Sequence, residues 1–270
     1  MIVAASFDIQ NPENWYNRAW QYGDGLFETM RFQSGVIPLW SFHQRRLIQS
    51  LSKLCIEEPD WEMIEQAYIN YAVMHKIRSA VIKLTVFRSG QERGYQANSQ
   101  EPGWLLSCHP MGTNHQPDKL QLGVANSRLS RQTILAGLKH LSRLEQVMIA
   151  SELTEQPDVD DLLVLDAKER VIETTYQNVV LIKENQLITP KLKKSGVKGV
   201  ALSWLKSKFK VKSKNLKLKN FKDYDAVLVC NAIRGFRMVE SIINDQDKQS
   251  FLTSHQLHDK ISIQWQLMFS

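Results

Sequence analysis

The chain has few of the residues from which specialised scaffolds are built. Its three cysteines, Cys55, Cys108 and Cys230, lie far apart, and none stands in a C-x-x-C pair. That excludes a disulfide framework and points to reduced thiols. The seven histidines show neither H-x-x-x-H nor H-E-x-x-H spacing, so no metal is expected. No apolar run approaches the roughly 18–20 residues of a membrane helix. Glycine (12) and proline (8) are sparse, and no repeat or low-complexity linker stands out. Collagen-like and wholly disordered chains are excluded. The opening Met1-Ile2-Val3-Ala4-Ala5-Ser6-Phe7-Asp8 has no basic leader, which leads to the expectation of a cytoplasmic protein.

What is present is ordinary globular material: 43% hydrophobic and 23% charged residues in a chain of 270. This length suits one large domain or two of about 120–150 residues, each with its own core. The net charge is +6, and the excess is local. Lysines 191, 193, 194, 198, 206, 208, 210, 212, 214, 217, 219 and 222 fall in one stretch. From Lys206 to Lys214 lysine recurs at every second residue, which in a strand gives one solvated face. Arginine and stacking aromatics are nearly absent there, which argues against nucleic acid as a partner.

The periodicity predicts a mixed α/β (α+β) chain in two lobes. Helices are expected over 42–54, with Leu47, Ile48, Leu51 and Leu54 in phase, and over 60–75, with Asp60 as N-cap. Strands are expected at 81–87 and 104–108. The polar run Pro110-Met111-Gly112-Thr113-Asn114-His115-Gln116-Pro117 is the best boundary, giving domains 1–112 and 113–270. In the second, a strand is expected near 120–125. Ser142-Arg143-Leu144-Glu145 fits a capping box for a helix whose apolar face is Leu144, Val147, Met148 and Leu153. Short strands follow at 162–166, 171–173, 179–182 and 186–189. A helix starts near 197, and a buried strand covers 226–230. A cleft between the lobes is the expected ligand site.

Five segments are richer in Gly, Arg and acid than packing needs. Gln21-Tyr22-Gly23-Asp24-Gly25-Leu26-Phe27-Glu28-Thr29-Met30-Arg31 reads as a tight turn into a strand. In His43-Gln44-Arg45-Arg46-Leu47 the adjacent arginines cannot share a helix face, so one can reach inward to an anion while the other stays in solvent. Both could equally be solvated. Arg88-Ser89-Gly90-Gln91-Glu92-Arg93-Gly94-Tyr95 is either a carboxylate clamp or a hairpin tip. Lys139, among Leu135, Leu138 and Leu141, has the apolar setting of a Schiff-base lysine, or else snorkels to the surface. Glu173, ending a hydrophobic strand before Thr174-Thr175-Tyr176-Gln177-Asn178, suggests an interior acid with a partner.

Taken together and in order, these segments resemble the fold-type IV pyridoxal-phosphate enzymes, the class IV aminotransferase-like family typified by D-amino-acid aminotransferase. The resemblance runs from about Tyr22 to Ile242. Its most specific stretch is Leu135-Ala136-Gly137-Leu138-Lys139-His140-Leu141-Ser142-Arg143-Leu144-Glu145-Gln146-Val147, which is similar to the signature around the cofactor lysine in the aminodeoxychorismate lyase branch. Arg93-Gly94-Tyr95 and His140-Leu141 point to the same branch.

The resemblance implies a two-domain fold with the cofactor lysine in the C-terminal domain, a homodimer, and pyridoxal 5'-phosphate as cofactor. It implies that Lys139 forms the Schiff base and moves protons, that Glu173 faces the pyridine nitrogen, and that Arg46 grips the phosphate. Asn178, Gly199, Val200, Ala201, Asn231 and Ala232 would complete the cofactor site. Arg93 and Tyr95 would contact a substrate carboxylate; the departing group would be protonated by Thr29 or by a pocket water, an alternative the sequence leaves open. The implied reaction converts 4-amino-4-deoxychorismate to p-aminobenzoate and pyruvate by proton abstraction and elimination. The alternatives are a class IV aminotransferase acting on D-amino or branched-chain amino acids and, more remotely, a non-catalytic basic binding protein. Three positions depart from the family pattern. Ala201-Leu202-Ser203 stands where an arginine is common. Met238-Val239 replaces the usual Pro-Val, and Tyr176 is bulkier than usual.

Overall fold

The computed structural model describes residues 1–111, 119–244 and 247–269. The chain divides into two compact units. The boundary expected at 112/113 lies outside the described residues.

Unit 1 contains β1 (Ile2–Ala5), α1 (Arg18–Tyr22), β2 (Gly25–Gln33), α2 (Trp40–Leu54), α3 (Trp61–Met74), β3 (Ser79–Arg88) and β4 (Pro102–Pro110). The strands form an antiparallel sheet in the order β1-β4-β3-β2. Its sequence logic is period-two alternation: Leu26, Glu28, Met30 and Phe32 of β2 are buried, while Phe27, Thr29 and Arg31 on the opposite face are partly open. Helix α2 buries His43, Leu47, Ser50 and Leu51, spaced three and four apart as one helical stripe requires. Helix α3 begins as predicted, with the Asp60 carboxylate accepting from the Met63 N–H at 3.0 Å.

Two buried charge clusters organise this unit. Asp24, in the turn before β2, accepts from Arg18 Nε and from Arg88 Nε, each at 2.9 Å. Arg88 then donates to the carbonyls of Leu54, Cys55 and Ser99, and Arg18 to those of Gly94 and Tyr95. Asp24 thereby fixes three loops. In the second cluster Glu28 meets Arg46 Nε at 2.6 Å, Arg46 Nη2, and His43 Nδ1 at 2.6 Å. Burial alone would raise the Glu28 carboxyl, but Arg46 and the hydrogen bonds from Arg46 and His43 bring it from 4.5 down to about 2. Burial holds the His43 imidazole below its ordinary 6.5.

A segment from further along the chain completes the sheet. The Phe27 N–H donates to Lys139 O and the Leu141 N–H to Gly25 O, both at 2.9 Å. Lys139–Ser142 thus pairs with the outer edge of β2 and belongs to unit 1. The sequence placed this lysine with the C-terminal domain; the free edge of β2 is the physical reason for the difference. Gly23 permits the approach, because it takes φ +65° and a Cβ there would lie 2.3 Å from Ser142 Oγ.

Unit 2 contains β5 (Lys119–Val124), α4 (Leu144–Ser151), β6 (Asp161–Leu165), β7 (Val171–Thr174), β8 (Asn178–Lys183), β9 (Gln186–Pro190), α5 (Val200–Lys208), β10 (Val211–Lys214), β11 (Ala226–Asn231), β12 (Gly235–Asn244), β13 (Asp247–Ser250) and α6 (Gln256–Gln266). Its sheet runs β10-β9-β8-β11-β12-β5-β6-β7, and β7 also pairs with β8. Strands β8, β11, β12, β5, β6 and β7 therefore close into a barrel. Leu122, Leu163, Val179, Leu181, Val227, Val229 and Val239 pack into one core cluster. The continuous apolar runs of β6, β8 and β11 are buried along their length, as strands covered on both faces require. Among the described residues no helix is long and apolar enough to cross a membrane.

Three sequence expectations fail here. The capping box does not form: α4 starts at Leu144 with no side-chain cap, and Glu145 instead accepts from the Ser130 N–H at 2.6 Å. The apolar face of α4 stays open among the described residues, with Leu144, Val147 and Met148 72%, 61% and 63% exposed. The lysine alternation is not one strand face. Lys206 and Lys208 end α5, and only Lys212 and Lys214 lie on β10.

The Glu28 cluster sets the acid stability of unit 1. The unfolded chain binds more protons than the folded one below 6.5 at His43 and below 4.5 at Glu28, so stability falls as pH falls. The Glu28 share is present above 4.5 and lost by about 2. Glu28→Gln should cost about 3–5 kcal/mol at neutral pH, the usual cost of breaking a buried ion pair, and should flatten stability through that acid window. Urea unfolding at several pH values checks this; parallel curves for the two proteins would contradict it.

Candidate active site

In unit 1 the edge pairing to β2 gives Lys139 a fixed backbone. Its side chain is half-buried, with Nζ 4.1 Å from the centre of the Phe27 ring. Thr29 shares that face of β2, two residues on. Lys83, opposite Thr29 in the register, also reaches over Phe27, with Nζ 5.2 Å from the ring centre. This face therefore carries two amines, a hydroxyl and an aromatic ring. Arg46 turns inward from α2 and gives Nε and Nη2 to Glu28, while Arg45 stays exposed. One arginine in and one out is what their helical spacing predicts, and the anion met by these two nitrogens is the chain's own carboxylate.

The segment Arg88 to Tyr95 splits by role. Arg88 is buried and bound to Asp24, whereas Arg93 is exposed and Tyr95 is 91% exposed. The backbone of this loop is held by Arg18, and the Tyr95 ring stands edge-on to Tyr22 at 5.7 Å. Asp24 and Arg18 were missed as organising residues in the sequence. The signal was an acid between two glycines, which no local partner explains.

In unit 2 four predicted residues come together. Glu173 and Asn178 are cross-strand partners at the ends of β7 and β8. Both hold Val197: Glu173 Oε2 accepts from its N–H at 2.8 Å, and Asn178 Nδ2 donates to its carbonyl at 3.0 Å. This seats the loop that leads into α5 through Gly199 and Val200. Among the described residues helix α5 has no side-chain cap, so the N–H groups of its first turn can meet an anion. Gly199 is required by close approach, because a Cβ there would lie 1.8 Å from Asn178 Oδ1. Ala201 is buried inside the first turn. At the end of β11, Asn231 Oδ1 accepts from the N–H groups of Ile233 and Arg234 at 3.1 and 2.8 Å, shaping the turn that holds Ala232.

These residues suit the chemistry of pyridoxal phosphate. The uncapped start of α5 suits a phosphate, and the buried hydroxyl of Ser195, which has no hydrogen-bond partner among the described residues, lies at the head of the same loop. Glu173, 7% exposed, supplies a carboxylate of the kind that holds a pyridine nitrogen protonated. Lys139 supplies an amine against an aromatic face. Two departures seen in the sequence have a physical account. Met238 and Val239 are core residues of β12, and Tyr176 is 48% exposed, so neither needed the family's usual residue for packing. Among the described residues no cluster of three or more His, Cys, Asp or Glu could hold a metal.

Comparison with known proteins identifies the family. The amino-transferase class IV family matches residues 25–242. An aminodeoxychorismate lyase of Vibrio harveyi is 32% identical over 246 residues, spanning 87% of this chain and 89% of that protein. A putative branched-chain-amino-acid aminotransferase of Methanocaldococcus jannaschii is 31% identical over 183 residues, 66% of this chain and 63% of that protein. The crystal structure of the 4-amino-4-deoxychorismate lyase of Pseudomonas aeruginosa superposes with a TM-score of 0.82 at 29% identity, over 97% of this chain and 94% of that one. With more than half of its length matched and a relative above 30% identity spanning most of it, the chain belongs to the class IV aminotransferase family.

Proposed function

We propose that the protein is a pyridoxal-phosphate-dependent lyase that converts 4-amino-4-deoxychorismate to p-aminobenzoate and pyruvate. The placement of Lys139 carries the reading. Its backbone is locked to the edge of β2, and its amine lies over Phe27 on the face that also bears Thr29. Similarity to the lyases over nearly the whole chain supports it.

Bound pyridoxal phosphate supplies an electron sink that makes the hydrogen beside the substrate nitrogen acidic. Lys139 takes that proton. The C–O bond to the enolpyruvyl group then breaks, the released enolpyruvate takes up a proton and leaves as pyruvate, and the ring becomes aromatic. Thr29, with its hydroxyl on the Lys139 face, is the group assigned to deliver that proton. Glu173 keeps the pyridine nitrogen protonated. The first turn of α5, with Gly199, Val200 and Ala201, would hold the phosphate, assisted by the Asn231–Ala232 turn; the resemblance assigns Arg46 to the same group. Asn178 positions the loop that carries Gly199. Arg93 and Tyr95, on an exposed loop, meet a substrate carboxylate. The second reading, an aminotransferase, rests on the resemblance to the Methanocaldococcus jannaschii protein and would use the same Lys139 and Glu173, with Lys139 handing its proton back in place of the elimination.

The protein is further proposed to work as a cytoplasmic homodimer through α4. Leu144, Val147 and Met148 recur three and four residues apart and leave one contiguous apolar face exposed, a face of the kind that marks an interface.

Two experiments test these statements. Protein supplied with pyridoxal phosphate and 4-amino-4-deoxychorismate should release fluorescent p-aminobenzoate, and Lys139→Ala should lower the rate by at least about 10³-fold. A native rate in that variant refutes the assignment. Conversion of the cofactor to its pyridoxamine form by an amino donor, without p-aminobenzoate, establishes the aminotransferase. For assembly, light scattering should give the mass of a dimer, and Val147→Glu should shift it to the monomer. A wild-type monomer at micromolar concentration would overturn the interface.

A further inference from the structure

Asp161, at the start of β6, is 0% exposed, yet no step assigned above uses it. Its carboxylate is surrounded by donors. Oδ1 accepts from the Leu162 N–H at 2.8 Å, the Thr175 N–H at 3.2 Å and the Thr175 hydroxyl. Oδ2 accepts from Gln177 Nε2 at 3.0 Å. All but one of these donors belong to the turn between β7 and β8. The turn is closed on itself as well, by Thr174 N–H to Gln177 O at 2.8 Å and Gln177 N–H to Thr174 Oγ1 at 3.1 Å.

The residues just outside this turn are Glu173 and Asn178. They in turn hold both polar groups of the Val197 peptide. Hydrogen bonds therefore tie Asp161 to the turn, the backbone joins the turn directly to Glu173 and Asn178, and those two side chains hold the loop before α5. A branch leads the other way, since Gln177 Oε1 accepts from Arg237 Nη2 on β12 at 2.9 Å. This fixes the amide's orientation: NH2 toward Asp161, carbonyl toward Arg237. A carboxylate, which only accepts, fits that polarity; an amide or a protonated acid does not satisfy it at both oxygens.

Stability gives no reason for a carboxylate here. Burial raises its pKa, against the opposing pull of Thr174, Thr175, Gln177 and the Leu162 N–H. Buried polar clusters are often replaceable by apolar side chains at no loss. What an apolar residue cannot do is gather the turn's backbone N–H, hydroxyl and amide onto one point. We propose that Asp161 is a positioning residue, which locks the β7–β8 turn so that Glu173 and Asn178 stand in fixed relation to the α5 loop. This rests on the assignment of Glu173 and that loop to pyridoxal phosphate.

The test uses full-length protein stripped of cofactor and titrated with pyridoxal phosphate, read by the absorbance of the bound form. Circular dichroism confirms folding at the titration temperature. Asp161→Asn keeps the shape but turns a donor toward a donor. It should weaken binding about tenfold, the worth of a charged hydrogen bond, and shift the pH midpoint of the bound cofactor's spectrum, because Glu173 moves. Adding Gln177→Glu should restore both readings, since Glu at 177 accepts from Asn at 161 and from Arg237. Should Asp161→Asn not fold, Thr175→Val, which removes one donor and keeps the charge, should weaken binding in the same direction. Wild-type affinity and spectrum in folded Asp161→Asn, or in Thr175→Val where that variant is the one used, overturn the inference. Failure of the double variant to recover also overturns it. A wild-type protein that takes up no pyridoxal phosphate overturns the underlying reading instead.

Discussion

A single carboxylate buried on the wrong side of an otherwise apolar strand face constrains most of unit 1. Glu28 lies between Leu26 and Met30, both buried, and is itself only 1% exposed. Only a cation and a donor brought by α2 make that position tolerable, and Arg46 and His43 supply them. The pair fixes the rotation and height of α2 on the sheet, because a slip of one residue along either element would separate the groups. Period-two alternation then sends Phe27 and Thr29 to the opposite face, the face over which Lys139 places its amine. Removing either charge of the ion pair while leaving the other buried costs far more than the pair contributes.

Unit 2 solves a related problem by other means. A barrel closes its hydrogen bonds on itself, so its strands need no polar help. The connections do. The β7–β8 turn, the loop into α5 and the β11–β12 turn all carry backbone groups that no strand pairs, and each is gathered by one acceptor: Asp161, Glu173 and Asn231 respectively. Such acceptors restrict the loops to one geometry without adding apolar bulk; at Gly199 the missing Cβ makes room for Asn178, and the start of α5 carries no side-chain cap among the described residues.

Much of this was legible in the sequence where the signal is local. Asp60 capped its helix, the apolar runs 162–166 and 226–230 became buried strands, and the stripe from Leu47 to Leu51 became the buried face of α2. The pyridoxal-phosphate family was legible from ordered motifs. What failed depended on distant partners. Asp24 and Arg88 are 64 positions apart, and neither residue alone announces the bond. Ser142 and Glu145 have the spacing of a capping box, but Glu145 finds Ser130 and Ser142 lies in the segment paired to β2. A local motif of that kind is worth about 1 kcal/mol, and a set of tertiary hydrogen bonds outweighs it. Strand β12 and helix α6 were not foreseen; their interrupted patterns are completed only by neighbours from elsewhere in the chain.

The charge excess of the 191–222 stretch has an explanation in the fold. Strand β10 pairs with β9 alone and ends the sheet among the described residues. An edge strand exposes a row of unpaired backbone groups that another chain could extend, and lysines are a common means of preventing this. Lys212 and Lys214 are exposed on that edge, with Lys210 just before it. Lys206 and Lys208 sit in the last turn of α5, where a cation meets the negative end of the helix dipole. The alternation that in one dimension resembled a binding face is thus divided between a helix end and a strand edge. Each part has a separate electrostatic reason to be basic, and neither requires a nucleic-acid partner.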